Sequence, residues 1–434
     1  MTLALTRSAA TVFAPTTGGG APRGAVMGEA STWGSEIETE LDAAKAASST
    51  ATLGATYLKI ANLPFTSLEM HGGSTGAAGS VNATAMLAAL AAGKEVRLLR
   101  GSYAMEEVEY TLPDADADVA ITGLGGQSSV LFFSGAELGI HIVQSAPATQ
   151  MQGAKSSVRL AGFGCRTSLD DNTGVGVFID YPDALSGSDS GTSASVQVDD
   201  LVFSGAGEDQ YWGAGLRLNN VTYHQIRGVQ GTGPEGSRAG TLIDLIGNKN
   251  NVDNSIEKPR GRNLSRLISV SGRYEGLVVD TPIGVDVDTG IYWHATLTDG
   301  ETAQPWLDVR GGHINAHVAA IDTDRVAEGF VTGLNVYVAS SGGKGLLVRN
   351  DAGLQDALYW QVAHNKFQTT VAKSAQQAID FGDDCGFSVI DRNIIVNFHL
   401  GIGLVAGCNN CSGANLHRGN NTNVQNNGSG NTVT

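Results

Sequence analysis

Two stretches near the C-terminal end, "AIDFGDDC" at 378–385 and "GIGLVAGC" at 401–408, superpose at a shift of 23 residues. Ile379 falls on Ile402, Phe381 on Leu404 and Cys385 on Cys408. Looser copies of the same pattern occur as "GVFID" at 176, "GLRLNN" at 215 and "GLLVRND" at 345. Each has a glycine or small residue, two apolar residues one apart, then Asn, Asp or Gly. Apolar side chains at alternate positions mark strands that bury one face. A unit of this size recurring along a chain marks a solenoid, whose repeats bury their apolar faces on one another. Intervals between the other copies are longer, so insertions sit on some turns. About 330 residues of repeat at roughly two dozen per rung give some 13–14 rungs, stacked ~4.8 Å apart into a rod of roughly 65 Å. Glycine and asparagine are expected to supply the left-handed corners. The last segment, "NNTNVQNNGSGNTVT", reads as a polar final rung.

Composition agrees with an all-β chain of many turns. There are 58 glycines but only 10 prolines, and 41% of residues are hydrophobic against 16% charged. The net charge of −16 comes with no basic cluster, which argues against a nucleic-acid partner. No run of 18 apolar residues exists, so no transmembrane helix is predicted. The N-terminus lacks a basic region followed by a continuous apolar one, so synthesis in the cytoplasm without a signal peptide is expected. Four cysteines in 434 residues make no disulfide framework. "CNNC" at 408–411 lacks a second pair for zinc and a βα context for redox chemistry, and reads as core thiols.

Residues 1–64 differ from the rest. A Gly/Pro segment gives way to an Ala/Glu-rich one in which Val26, Trp33, Ile37, Leu41 and Ala44 form one helical stripe. So narrow a stripe on a short helix needs a partner, either its own copies or a docking surface. The segment "PTTGGGAPRGAVMGEASTWGSEIE" resembles the N-terminal attachment segment of phage tail fibres and tailspikes. From Phe65 to Gly135, a Gly-rich loop leads to a short helix at Asn82–Ala91, then "EVRLLRGSY", then "VAITGLGGQSSVLFF". That order is similar to the start of pectate-lyase-like parallel β-helices. The family's acidic loop is replaced here by "HGGSTGAAGSVNAT", so no function attached to those acids carries over.

The expected fold is therefore an all-β, right-handed parallel β-helix with a short helical attachment segment. Three parts follow: 1–64 for attachment and oligomerisation, 65–95 as the cap with its helix, and 96–434 as the β-helix body. A β-sandwich or jelly roll explains neither the repeat nor the order of helix and "RGSY".

Chemistry concentrates in "GAGEDQYWGAG", Gly205–Gly215. Glycosidases commonly use two carboxyl groups, about 5–5.5 Å apart for retention and about 6.5–9.5 Å for inversion. Glu208 and Asp209 are adjacent, and neighbours on a strand point to opposite faces, so they pair only if the stretch is a loop. Glu235 lies 27 residues after Glu208, about one rung with a turn insertion. Stacking on successive rungs would bring these two carboxylates to about 4.8 Å. If the chain is an enzyme, Glu208 paired with Glu235 is the expected catalytic couple, with Asp209 as the further candidate. Tyr211, Trp212, Trp293 and Trp306 sit in polar, Gly- or Pro-flanked contexts, where exposed rings would stack on the C–H faces of sugars. The same rings could equally fill gaps between rungs.

No metal or cofactor is expected. His313, His317, Asp322 and Asp324 form the densest ligand-type group, but "HINAHV" alternates like a strand, and a four-residue offset there spans about 13 Å. The resemblance implies a spike or fibre component on the surface of a phage or gene-transfer-agent particle. It would be a homotrimer that joins other particle proteins through the N-terminal segment and binds a bacterial surface polysaccharide. Alternatives are a tailspike depolymerase, hydrolase or lyase, cutting that glycan, and a purely structural virion protein.

Overall fold

A single aliphatic column defines the architecture. Val108, Ile140, Val177, Leu216, Ile243, Ile268, Ile291, Ile321, Leu346, Ile379, Ile402 and Val424 stand in register on successive parallel strands. Each is buried except the last, which is half-buried. Its members are one residue of every rung, because the strand's alternation sends every second side chain into the lumen. Full burial of one such side chain is worth about 1.5–3 kcal/mol. All five copies of the sequence pattern lie in this register, and the pairing of Ile379 with Ile402 and Phe381 with Leu404 is the shift of 23 residues. Steps along the column run from 22 residues, Ile402 to Val424, to 39, Val177 to Leu216.

The computed structural model describes residues 63–114, 117–144, 156–181, 195–251, 254–295, 305–350, 357–382 and 385–434. The helical stripe expected between 25 and 47 lies outside them. The fold is a parallel β-helix in which a rung contributes strands to three faces. The first face is a sheet of 14 parallel strands, from Phe65–Thr66 to Thr432–Val433. The second and third faces are joined into one 22-stranded sheet. The long strands Ile283–Ala295 and His313–Asp324 run across the corner between them.

The N-terminal end is covered by the helix Gly79–Ala91, which buries Ala83, Ala85, Met86, Ala89 and Leu90. Asn82, fully buried on that helix, accepts from the Ser74 N–H and donates to the carbonyls of Ser74 and Ala104, locking the Gly-rich loop to the next rung. At the other end the strand Thr422–Asn426 stacks on Leu400–Leu404 but presents mostly polar, exposed residues. There asparagines form a ladder. Asn365 Nδ2 donates to Asn393 Oδ1, and Asn393 Nδ2 donates to Asn415 Oδ1. Each also donates to a carbonyl of the preceding rung. Cys165, Cys385, Cys408 and Cys411 are buried free thiols.

The corner after the first face is left-handed on rung after rung. Glycine takes it at 162, 228, 311 and 333, but Asp200, Lys258, Thr281, His364 and Arg392 take it elsewhere. Expecting only glycine and asparagine there misses half the column. The reason is the stack: the amide of each such residue donates to the next rung, as in Asp200 to Arg227 O and Thr281 to Arg310 O. Those bonds hold the conformation against its local cost.

Two predictions follow from these positions. Thr281, β-branched at φ 52°, bears a left-handed penalty of about 1–2 kcal/mol. Thr281→Gly should raise stability by about 1 kcal/mol in chemical denaturation, and a loss would contradict the account. His224 is completely buried, with Nδ1 donating to Val221 O, and burial lowers its pKa to about 4. The unfolded chain therefore binds the proton first, so stability is full above about pH 6.5 and falls as pH drops toward 4, by about 3 kcal/mol in all. The His224→Leu variant should lack this loss. Parallel denaturation curves at pH 7 and pH 4.5 measure it, and equal acid sensitivity in both proteins would refute it.

Candidate functional site

Six strands of the second face set a column of outward side chains. Phe132, Arg166 and Ser204 stand in register, and so do Thr232, Arg262 and Val285 on the rungs that follow. Between these groups the strand Val202–Gly205 pairs with Gln230–Thr232 through Phe203 and Gly231. Beneath Thr232 and Arg262, Gly231 and Gly261 face the lumen, where Leu242 and Leu264 take the space their side chains would need. The floor of this column is therefore thin: two small hydroxyl residues, Ser204 and Thr232, with an arginine beyond each.

The loop "GAGEDQYWGAG" forms one wall. It leaves the second face at Gly205 and enters the third at Ala214. Gly205 and Gly213 are required by close approach: a Cβ would lie 1.8 Å from the carbonyl oxygen of Gln210 and 2.2 Å from that of Asn172. The next rung's loop continues the wall, because Glu235 N donates to Glu208 O at 2.7 Å. Floor and walls enclose a trench of about 390 Å³ lined by Gln127, Arg166, Ser204, Gly205, Gly207, Glu208, Gln210, Thr232, Gly233, Glu235, Arg262 and Asn263. Every lining residue is polar, charged or glycine. The Arg166 Nε is buried with no hydrogen-bond partner.

The expected catalytic couple is thus brought together. Glu208 and Glu235 are exposed, stand on successive rungs and line one trench. Asp209 is exposed but does not line it.

The aromatic expectations need correction. Trp293 is fully buried, standing in the lumen between Val270 and Thr323 with its edge toward Tyr274. The strand's alternation explains this: Ile291 and Trp293 point inward and Tyr292 outward, where Arg266 lies 3.7 Å over its ring. Trp212 is 4% exposed, donates from Nε1 to Cys165 O and packs edge-on against Phe133. Tyr211 is buried beside it, its backbone N–H bound to Leu169 O on the preceding rung. Trp293 and Trp212 belong to the core and Tyr211 is buried against Gly240, so none of the three offers an exposed shelf. Trp306 is half-buried and lies over Gly276 on the rung before, where a Cβ would meet the indole at 2.3 Å.

The exposed aromatic pair is elsewhere. Tyr359 and Phe387, 58% and 54% exposed, lie with centroids 6.2 Å apart and planes tilted by 34° at the corner before the first face. Both are left-handed, which no aromatic propensity would suggest.

The ligand-type residues near 313–324 do not converge. His313 bonds Asn315, His317 bonds Asp286, and Asp324 pairs with Arg325. Asp322 belongs to a different network: it accepts from Arg349 and His294, and His294 Nδ1 meets the Tyr292 hydroxyl. Burial alone would raise the Asp322 pKa, but the bonds from His294 and Arg349 and the charge of Arg349 outweigh it and hold the carboxyl below its ordinary value. Among the described residues, Glu107, Glu109 and His141 could each bring one ligand atom within 4.8 Å of the others. His141 is already engaged, against Glu109 at 3.2 Å and flat on Phe178.

No protein-family model matches the chain, and no curated protein does so at a significant level. Solved structures match by fold. Tailspike protein 3 of bacteriophage CBA120 superposes with a TM-score of 0.58 at 14% identity, over 87% of this chain and 58% of that one. The A-module of the Azotobacter vinelandii mannuronan C-5 epimerase AlgE6 gives 0.51 at 10% identity, over 85% of this chain and 99% of the module. Pre-mature gene product 12 of bacteriophage phi29 gives 0.50 at 12%, over 87% and 59%. The chain shares their parallel β-helix fold. It spans less than two thirds of the tailspike's length. Among the described residues, no helix is long and apolar enough to cross a membrane.

Gly205→Ala tests the wall. The added methyl must displace the Gln210 carbonyl, at a cost of about 1–3 kcal/mol, and should shift the amide NMR signals of residues 205–210 while leaving the third-face column unchanged. Unperturbed loop signals would show that the wall does not depend on this close approach.

Proposed function

We propose that this chain is a spike or fibre component of a phage or phage-like particle and that it binds a bacterial surface polysaccharide in the trench between Arg166 and Arg262. The observation that carries the reading is the trench itself. It runs along the rod axis over several rungs, is lined by polar, charged and glycine residues and is open at the surface, as a linear polymer of hydroxylated rings requires. Carboxylates, amides and hydroxyls supply the acceptors and donors that sugars need. A trimer held through the N-terminal segment would multiply individually weak contacts by avidity. The fold it shares with a bacteriophage tailspike supports the setting, and the resemblance of "PTTGGGAPRGAVMGEASTWGSEIE" to attachment segments supports the particle.

A second reading, cleavage of the same glycan, is favoured by one specific observation: Glu208 and Glu235 are joined backbone to backbone across one rung and line one trench. One carboxyl could protonate the leaving oxygen while the other attacks or activates water.

An array of bacterial capsular and lipopolysaccharide glycans, probed with the full chain and followed by a reducing-end assay, separates the readings. Binding predicts retention without new reducing ends, for the parent chain and for Glu208→Gln and Glu235→Gln alike. Cleavage predicts fragments, with each variant slower by about 10²–10⁴-fold. No retention and no fragments would overturn both and leave a structural role.

A further inference from the structure

The chain carries a net charge of −16, yet the trench holds two guanidinium groups with no carboxylate partner among the described residues. Arg166 and Arg262 occupy the same outward column, separated by Ser204 and Thr232. Three rung steps of about 4.8 Å place their backbones about 14 Å apart. Several other surface arginines are paired with aspartates: Arg217 with Asp244, Arg227 with Asp199, Arg238 with Asp288 and Arg310 with Asp308. Arg166 differs from these four in a costly way, because its Nε is buried without an acceptor. A buried donor left unsatisfied is destabilising, and a charged one more so. Arg166 also lines the trench, and a guanidinium fork matches a ligand carboxylate or phosphate in geometry.

We infer that the trench is built for an acidic polysaccharide, with Arg166 and Arg262 each receiving an anionic substituent and the sugar rings between them lying over Ser204 and Thr232. The inference rests on the trench being the glycan site. Glu208 and Glu235 in the wall set the polarity of this arrangement: they repel the anionic groups from the middle of the trench and leave them only the two ends.

The test uses the polysaccharides retained by the full chain on the glycan array, native, carboxyl-reduced, and treated with hydrofluoric acid to remove phosphodiesters. The retained set should be acidic. One of the two treatments should weaken retention at least tenfold, carboxyl reduction identifying uronate and phosphate removal identifying phosphodiester. Arg262→Gln, at an exposed position, and Arg166→Gln should each weaken native-glycan retention about tenfold or more, with Arg→Lys partly restoring it. Retention of neutral glycans, equal binding after both treatments, or full binding by the correctly folded Arg262→Gln variant would overturn the inference while the glycan reading stands. If no polysaccharide is retained at all, the glycan reading fails and takes this inference with it.

Discussion

Parallel hydrogen bonds from each rung to the next are the constraint on which everything else here depends. They fix the register, and the register turns a sequence interval of some two dozen residues into a step of about 4.8 Å. The aliphatic column from Val108 to Val424 exists because every rung obeys that register. The same bonds hold Asp200, Lys258, Thr281, His364 and Arg392 in a left-handed corner that their side chains disfavour. Where insertions lengthen a rung, the strands keep register and the extra residues leave the stack. The wall of the trench is such a loop, anchored at both ends by strands and pinned by glycines that cannot accept a side chain.

The same constraint explains what could be read from the sequence. The spacing of Ile379 and Phe381 to Ile402 and Leu404 was legible because those rungs carry no insertion. Glu208 and Glu235 were legible as neighbours because 27 residues make one rung with a short turn insertion, whatever their side chains do. The aromatic rings were not. Trp293 sits on a strand where parity alone decides its face, and "GIYWHATL" supports either parity until Ile291 is placed in the column. Trp212 follows a loop, and its inward turn depends on the Tyr211 amide bonding Leu169 O on another rung, a contact 42 residues away in sequence. Tyr359 and Phe387 were hidden by their conformation, since large aromatic residues rarely adopt positive φ.

Arg166 and Arg262 were also invisible to sequence, each lying in a short strand with no motif around it. They become a pair only when the rungs between them are stacked. Their setting departs from the acidic character of the rest of the molecule. An overall negative charge favours solubility and discourages nonspecific contact with anionic surfaces. A narrow cationic column framed by two glutamates is a local exception that selects position as well as charge. Binding along the rod axis would also let repeating units of a polymer meet repeating rungs of the protein, a match of periods that a globular pocket does not offer.

The central claim is that a polysaccharide lies in this trench, parallel to the rod. The most direct measurement is a crystal structure of the full chain with an oligosaccharide of a retained glycan. The account predicts sugar density running over Ser204 and Thr232, with anionic groups at Arg166 and Arg262 and a glycosidic oxygen near Glu208 and Glu235. Density confined to another surface, such as the exposed rings of Tyr359 and Phe387, with the trench empty, would contradict it.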